Sequence, residues 1–202
     1  MKKLTMIFLL VFVSSLFAIT PEEIQKAYHK SFNYEKIEDY ENAIRSLSSV
    51  LSEYPNGYTV NLRLGWLYYF LGRYANSIEH YQKAVQIVPT SLEAKNGLML
   101  PLLAQNKYND AASIAYQVVS VDHYNYYGNM RLAYSLRMQK KYDQAEQILN
   151  KMLAVYPTDI TFLTELALVK YNQGNTERAG NLMWDVLTLD PENETAKSYF
   201  SK

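Results

Sequence analysis

Histidine and the carboxylates are the residue types of this chain that could carry acid–base or metal chemistry. The three histidines, His29, His80 and His123, lie far apart, and none has a histidine or a carboxylate four residues away. That spacing is the one that places two metal ligands on one helix face. The sequence also contains no cysteine, no glycine-rich phosphate loop, no Gly-x-Ser-x-Gly turn and no dinucleotide fingerprint. We therefore expect a protein that is not an enzyme and that needs neither a metal nor a cofactor.

Charge and composition narrow the class of partner. The 202 residues include 20 Lys and Arg against 20 Asp and Glu, which gives a formal net charge of zero. No basic stripe is available to follow a phosphate backbone, so we expect no nucleic-acid partner. Hydrophobic residues make up 49% of the chain, which is too many for a disordered protein.

A sequence repeat defines the elements that must position any binding residues. Pro55, Pro89, Pro157 and Pro191 are separated by multiples of 34, and His123 fills the remaining slot. The residue twelve positions before each of these five is always small: Ala43, Ser77, Ala111, Ala145 and Ala179. A fixed period of this size is typical of stacked-repeat proteins.

Residues 58–91 show how one repeat is built. Leu62 and Trp66 belong to an apolar series at helical spacing, which breaks at Gly72. A second apolar series follows and ends at Pro89, because proline lacks an N–H and biases the preceding residue away from helical geometry. The unit is two short antiparallel helices. Neither can bury its apolar face alone, so successive copies must stack.

This repeat resembles the tetratricopeptide repeat. The residues that carry the resemblance in the second copy are Leu64-Gly65, Tyr68, Gly72-Arg73-Tyr74, Ser77, Tyr81, Ala84 and Pro89. The resemblance implies an all-α fold, a right-handed α-solenoid of helix-turn-helix repeats. We expect residues 19–193 to form five repeats, at about 24–57, 58–91, 92–125, 126–159 and 160–193. Residues 194–202 are expected to form a C-terminal capping helix.

The N-terminal residues 1–18 predict export. Met1-Lys2-Lys3 gives a positive start, an apolar run follows, and a short region ends at the small residue Ala18. This layout is typical of a secretory signal peptide. The alternative is an uncleaved anchor, but the apolar stretch is about 15 residues, short of the roughly 20 that cross a bilayer. We expect a periplasmic or secreted protein that begins at Ile19 and keeps no stable membrane span.

The resemblance also implies where a ligand would bind, since in tetratricopeptide arrays the first helix of each repeat lines the concave side. The groove floor would be five large apolar residues, each at the same position of its repeat: Phe32, Trp66, Leu100, Tyr134 and Leu168. Beside them would lie Tyr28, Leu62, Tyr69, Leu103, Met130, Arg137 and Tyr171. The alternative is that these residues pack against one another as ordinary core. A continuous exposed apolar strip would instead be typical of a binding groove.

The groove chemistry indicates the kind of ligand. Chaperone-type relatives clamp a C-terminal carboxylate with Lys and Asn, but the matching positions here hold Tyr28 and Phe32, then Leu62 and Trp66. An aromatic groove favours an extended peptide or an amphipathic helix of an envelope-associated protein, bound with little dependence on salt. Arg63 and Arg131 lie one turn before Trp66 and Tyr134, where they could hold a backbone or carboxylate group.

Two other functions remain open at this point. The first is a glycan-binding component of envelope or exopolysaccharide assembly, because flat aromatic rings stack on sugars as readily as on peptides. The second is a structural subunit that self-associates through its end helices.

Overall fold

The computed structural model describes residues 19–201, all of whose regular elements are helices. The helices are α1 (Pro21–Lys36), α2 (Tyr40–Arg45), α3 (Ser48–Glu53), α4 (Tyr58–Phe70), α5 (Tyr74–Ile87), α6 (Leu92–Ala104), α7 (Tyr108–Val121), α8 (Tyr126–Met138), α9 (Tyr142–Leu153), α10 (Ile160–Asn172), α11 (Thr176–Leu189) and α12 (Glu194–Phe200). The predicted signal peptide, residues 1–18, lies outside the described residues. Within residues 19–201, no helix is long and apolar enough to cross a membrane.

The helices form consecutive antiparallel pairs that stack along the chain. Helices α1, α4, α6, α8 and α10 are the first helices of successive repeats, and each packs against the next pair. In the first repeat the second helix is divided into α2 and α3, where the Ser46 hydroxyl donates to the carbonyl of Asn42 one turn earlier. The short helix α12 closes the array at its C-terminal end. The predicted fold class, an all-α solenoid of helical repeats, is confirmed.

The same backbone geometry turns the chain between the two helices of every repeat. One residue in each repeat, always at the same repeat position, has a positive φ: Glu38, Gly72, Asn106, Lys140 and Gly174. After α4, for example, the amide of Arg73 donates to the carbonyl of Tyr68, which satisfies a helix-end carbonyl as in a Schellman turn. Glycine adopts this conformation without strain, whereas the other three residues carry a Cβ that opposes it.

Tyr81 joins the second and third repeats. Its side chain comes from α5, is 2% exposed, and inserts between α4 and α6 at Gly65 and Gly97. A Cβ at Gly97 would lie 2.2 Å from Tyr81 Cε1, and one at Gly65 would lie 2.7 Å from Tyr81 Cγ. Both glycines are therefore required by the close approach of this ring. Pro101, also in α6, is buried inside a helix that continues to Ala104.

Polar side chains tie the turns between repeats to the helices. Buried Asn61 donates to the carbonyls of Pro55 and Gly57, and its Oδ1 accepts from His80 Nδ1 at 3.0 Å. Asn129, at the same position two repeats later, donates in the same way to the carbonyls of the loop before α8. These bonds fix the entry to α4 and α8, two of the helices that line the concave side.

Candidate functional site

A large concave cavity lies on the side of the solenoid formed by the first helices. Its volume is about 1050 Å³, and four successive first helices contribute to it, α1, α4, α6 and α8. The lining residues are Gln25, Tyr28, His29, Phe32, Thr59, Leu62, Arg63, Trp66, Tyr69, Phe70, Tyr81, Glu93, Asn96, Gly97, Leu100, Tyr127 and Arg131. Most of these are aromatic or aliphatic. We call this feature the concave cavity.

One wall of the concave cavity is an aromatic cluster held by an ion pair. Arg63 Nη1 lies 2.5 Å from Glu35 Oε2, and the other oxygen of that carboxylate accepts a 2.5 Å hydrogen bond from Trp66 Nε1. The Arg63 guanidinium also lies 4.0 Å from the centre of the Phe32 ring. The Trp66 indole contacts Phe70 edge-on, with ring centres 4.5 Å apart. These contacts fix the orientation of large side chains that are nevertheless 37% (Trp66) and 46% (Phe32) exposed.

The floor of the concave cavity is formed by Tyr81 and Arg131. The distal end of the Tyr81 ring lies over Gly97, so this side chain reaches the cavity lining from the second helix α5 behind the groove. Burial raises the pKa of Tyr81, and the charge of Arg131 acts in the opposite direction. The Tyr81 hydroxyl therefore stays protonated and can donate a hydrogen bond.

Arg131 is a buried charge with an incomplete set of partners. It is 8% exposed, its Nη1 donates to the Asn96 carbonyl at 2.8 Å, and its guanidinium lies 5.1 Å from the centre of the Tyr127 ring. Its Nε is buried without a hydrogen-bond partner, and no ion pair within residues 19–201 includes Arg131. Burial lowers the pKa of Arg131, but an arginine remains charged in a protein.

Six of the twelve residues predicted for the groove line the concave cavity. They are Tyr28, Phe32, Leu62, Trp66, Tyr69 and Leu100, from the first three repeats. The structure therefore brings together the N-terminal half of the predicted strip.

The other six predicted residues do not line the concave cavity: Leu103, Met130, Tyr134, Arg137, Leu168 and Tyr171. Leu103 packs against the core between the second and third repeats, and Met130 and Leu168 pack against the core of the later repeats. Tyr134 is covered by Tyr108, at 6.0 Å between ring centres, and by the guanidinium of Arg137, at 5.2 Å. Arg137 itself forms a two-bond ion pair with Glu165, and Tyr171 contacts Tyr199 edge-on.

Sequence reasoning missed several lining residues. Tyr127 and Glu93 come from the first turns of α8 and α6, so they do not share the repeat position of Trp66 and Leu100 from which the groove was predicted. Tyr81 comes from a second helix and fills the space between repeats, yet it also lines the concave cavity. The available signal was the pair Gly65 and Gly97, whose spacing across two repeats leaves room for a ring.

The cavity does not offer a metal site from its own side chains. Within residues 19–201 there is no group of three His, Cys, Asp or Glu side chains able to hold a metal ion. The arrangement can bury apolar groups against aromatic rings and can donate hydrogen bonds from its floor.

Comparison with known proteins places the repeats in a known family. Residues 33–91 and residues 102–167 each match a family model described as tetratricopeptide repeat. The human protein O-mannosyl-transferase TMTC1 is 30% identical over 112 residues, which are 54% of this chain and 12% of that protein. The chain therefore spans only a small part of the length of this curated relative.

Solved structures share the fold. MamA has a TM-score of 0.74 at 20% identity, over 86% of this chain and 94% of its own. MamA from Desulfovibrio magneticus RS-1, residues 41 to the end, has a TM-score of 0.78 at 15% identity, over 87% and 99%. YrrB, described as a TPR protein with an unusual peptide-binding site, has a TM-score of 0.73 at 12% identity, over 90% and 94%. At these identities the likeness shows the fold alone.

Proposed function

The chain belongs to the tetratricopeptide repeat family, and on that premise we propose that it binds a peptide segment of a partner protein in the concave cavity. The fold supports a protein-interaction scaffold, and the site is our own assignment. The observation that best supports this binding site is a set of exposed aromatic side chains. Trp66, Phe32, Phe70 and Tyr127 are all more than a third exposed, yet they line one concave surface. Exposed apolar surface gathered in a groove is typical of a docking site.

The fixed side chains of the wall favour binding without rearrangement. Glu35 holds both Arg63 and Trp66, so these side chains lose little rotamer freedom when a ligand arrives. Aromatic side chains and arginine are also the residues that most often dominate binding energy at protein interfaces. YrrB is described as having an unusual peptide-binding site, which agrees with a peptide as the ligand. The proposed role is non-enzymatic, and the transferase activity in the name of TMTC1 is that protein's own.

A glycan is the second candidate, and the geometry of the rings supports it less. Sugar rings stack on open aromatic faces, but one face of Phe32 is covered by Arg63, and Trp66 contacts Phe70 edge-on. Titration with envelope-derived oligosaccharides, followed by tryptophan fluorescence, tests this alternative. A saturable change that is lost in Phe32→Ala, which keeps the Trp66 fluorophore, would favour the glycan.

The proposed partner belongs to the cell envelope. This part of the proposal rests on residues 1–18, whose charged start, apolar run and small residue at Ala18 are typical of an export signal. The mature chain, starting at Ile19, would meet its partner in the periplasm or outside the cell. Self-association through the end helices is a separate hypothesis, which light scattering tests.

Affinity capture from a cell-envelope extract tests the proposed site. The bait is the chain from Ile19, compared with Trp66→Ala/Leu100→Ala inside the cavity and with Tyr134→Ala/Tyr171→Ala outside it. Each variant must first show unchanged helicity. Truncating one anchor that the ligand buries weakens an interface by about 2 kcal/mol or more, which is about thirtyfold. The double cavity variant should therefore bind at least about thirtyfold more weakly, and about a thousandfold if both side chains are anchors.

Comparison with the control variant, and capture at raised salt concentration, show whether the partner binds in the cavity. A protein retained by the control variant and lost with the cavity variant supports the proposal. Equal capture by both variants contradicts it. Because the affinity is expected from aromatic burial, raising the salt concentration should change capture little.

A further inference from the structure

Arg131, in the floor of the concave cavity, is a buried cation without an ion pair within residues 19–201. Its guanidinium is buried in largely aromatic surroundings, with Tyr127 against its face. Nη1 is used by the Asn96 carbonyl, whereas Nε is buried and unpartnered and Nη2 makes no hydrogen bond within the described residues. Nε of Arg63 is buried and unpartnered too, so the nitrogen of Arg131 that a ligand in the cavity can reach is Nη2. An arginine N–H of this kind donates a strong, charge-assisted hydrogen bond to a carboxylate.

Comparison with Arg63 shows what is missing. Arg63 occupies the same repeat position two repeats earlier, and it pairs with Glu35 on the preceding first helix. The residue equivalent to Glu35 beside Arg131 is Leu103, which packs into the core. The array thus has one arginine with its own carboxylate and one without. An uncompensated buried charge is strongly unfavourable, so the position is costly unless something else supplies the negative charge.

We propose that the occupant of the concave cavity presents a carboxylate to Nη2 of Arg131, with the Tyr81 side chain beside it as a second donor. This inference rests on the proposed function of the cavity and adds the chemical class of its ligand. Tyr81 belongs to the same floor, where the distal end of its ring lies over Gly97. Aromatic side chains around the charge would exclude water from the pair and strengthen it.

The charge balance of the cavity favours a carboxylate over a phosphate. The other cation of the lining, Arg63, is already neutralised by Glu35. Glu93 adds a carboxylate to the opposite rim, where it accepts from Tyr58 at 3.3 Å. With Glu35 included, the two cations and two carboxylates of the cavity balance, and Arg131 is the cation without an ion pair within residues 19–201. A singly charged carboxylate can pair with Arg131 while adding the least negative charge to the cavity. A phosphate monoester, at about −1.5 to −2, would bring excess negative charge.

Three libraries of random peptides of one fixed length test the inference and identify the source of the carboxylate. The first has a free C-terminus and no Asp or Glu, the second an amidated C-terminus with Asp and Glu, and the third an amidated C-terminus without them. Binders are selected on the wild-type chain and measured against Arg131→Met, Tyr81→Phe and the exposed control Arg73→Gln. Arg131→Met should fold, since an apolar side chain of similar volume in place of a buried charge is often neutral or stabilising.

The expected result is that binders come from the first or the second library, which names the source as a chain end or an acidic side chain. Arg131→Met should weaken them about ten- to a hundredfold, Tyr81→Phe about two- to tenfold, and Arg73→Gln not at all. On the wild type, the Nε–H nuclear magnetic resonance signal of Arg131 should shift with the selected peptide and not with its amide analogue. This readout does not depend on the folding of any variant.

Two contrary results are distinguishable. Binders from the third library that are lost in Trp66→Ala/Leu100→Ala but bind Arg131→Met as tightly as wild type would overturn the carboxylate and leave the proposed cavity function intact. The absence of any binder sensitive to Trp66→Ala/Leu100→Ala would overturn both.

Discussion

Replacing Gly97 by alanine should destabilise the protein, although the same change at most helical glycines stabilises. In a helix interior, Gly→Ala normally gains about 0.5–1 kcal/mol. At Gly97 the new Cβ would lie 2.2 Å from Tyr81 Cε1 and 2.6 Å from Cζ, far inside contact distance. Overpacking of this kind costs about 1–3 kcal/mol. The net expectation is a loss of about 1–2 kcal/mol in the free energy of unfolding.

Gly180 provides the matched control. It lies inside α11, and a Cβ there would have its nearest neighbour at 3.8 Å, an ordinary contact. Gly180→Ala should therefore stabilise by about 0.5–1 kcal/mol. Urea unfolding followed by circular dichroism measures both changes, and the slope of each transition shows whether the array still unfolds as one unit.

A double-mutant cycle with Tyr81→Ala identifies the cause. Tyr81→Ala alone should cost about 3–5 kcal/mol, because the ring is buried between α4 and α6. In that background Gly97→Ala has no ring to meet, so its effect should change sign and become stabilising. If Gly97→Ala destabilises equally with and without the Tyr81 ring, the contact is not the cause and the reasoning about the cavity floor is wrong.

The remaining predictions concern pH, a turn and export. Burial lowers the pKa of His80 below its ordinary value of 6.5. As the pH falls, His80 is therefore protonated more readily in the unfolded chain than in the folded one. The stability that the neutral, half-buried side chain provides above about pH 6.5 should then be lost. The melting temperature of the wild type should therefore drop between about pH 7.5 and 5.5. The control His29→Gln should show the same drop, and His80→Gln a smaller one. Equal drops in all three proteins would contradict this. Lys140→Gly should raise the free energy of unfolding by about 0.5–1 kcal/mol in urea titration, because it relieves a φ of 61°. A destabilised Lys140→Gly would refute that account of the turn. Mass spectrometry of the protein isolated from its own cells should find Ile19 at the N-terminus, and an intact Met1 or Lys2 would contradict cleavage.

The fold could be predicted because its signal repeats. Each position recurs with the same period along the chain, so the helix pairs, their turns and the stacking of one repeat on the next are each indicated several times. The contact of Tyr81 with Gly97 does not follow from the repeat, because Gly97 is not at the repeat position of Gly65.

The extent of the candidate site could not be predicted, because repeat position does not determine exposure. Trp66 and Tyr134 are equivalent in the sequence, yet Trp66 lines the concave cavity while Tyr134 is covered by Tyr108 and Arg137. The difference comes from neighbours on other helices. Arg131 is a second example. The structure shows that Arg63 pairs with Glu35, and only this pair identifies Leu103 as the position from which Arg131 lacks a carboxylate.

Photo-crosslinking from inside the concave cavity tests the central claim most directly. A benzoylphenylalanine placed at Leu100 lies in the cavity, and one at Leu168, the same repeat position two repeats later, does not. Irradiation in a cell-envelope extract, followed by mass spectrometry of the adducts, reports which position touches the partner. We expect one partner peptide cross-linked at Leu100 and none of it at Leu168. The same adduct at Leu168, with none at Leu100, would contradict the assignment of the concave cavity as the binding site.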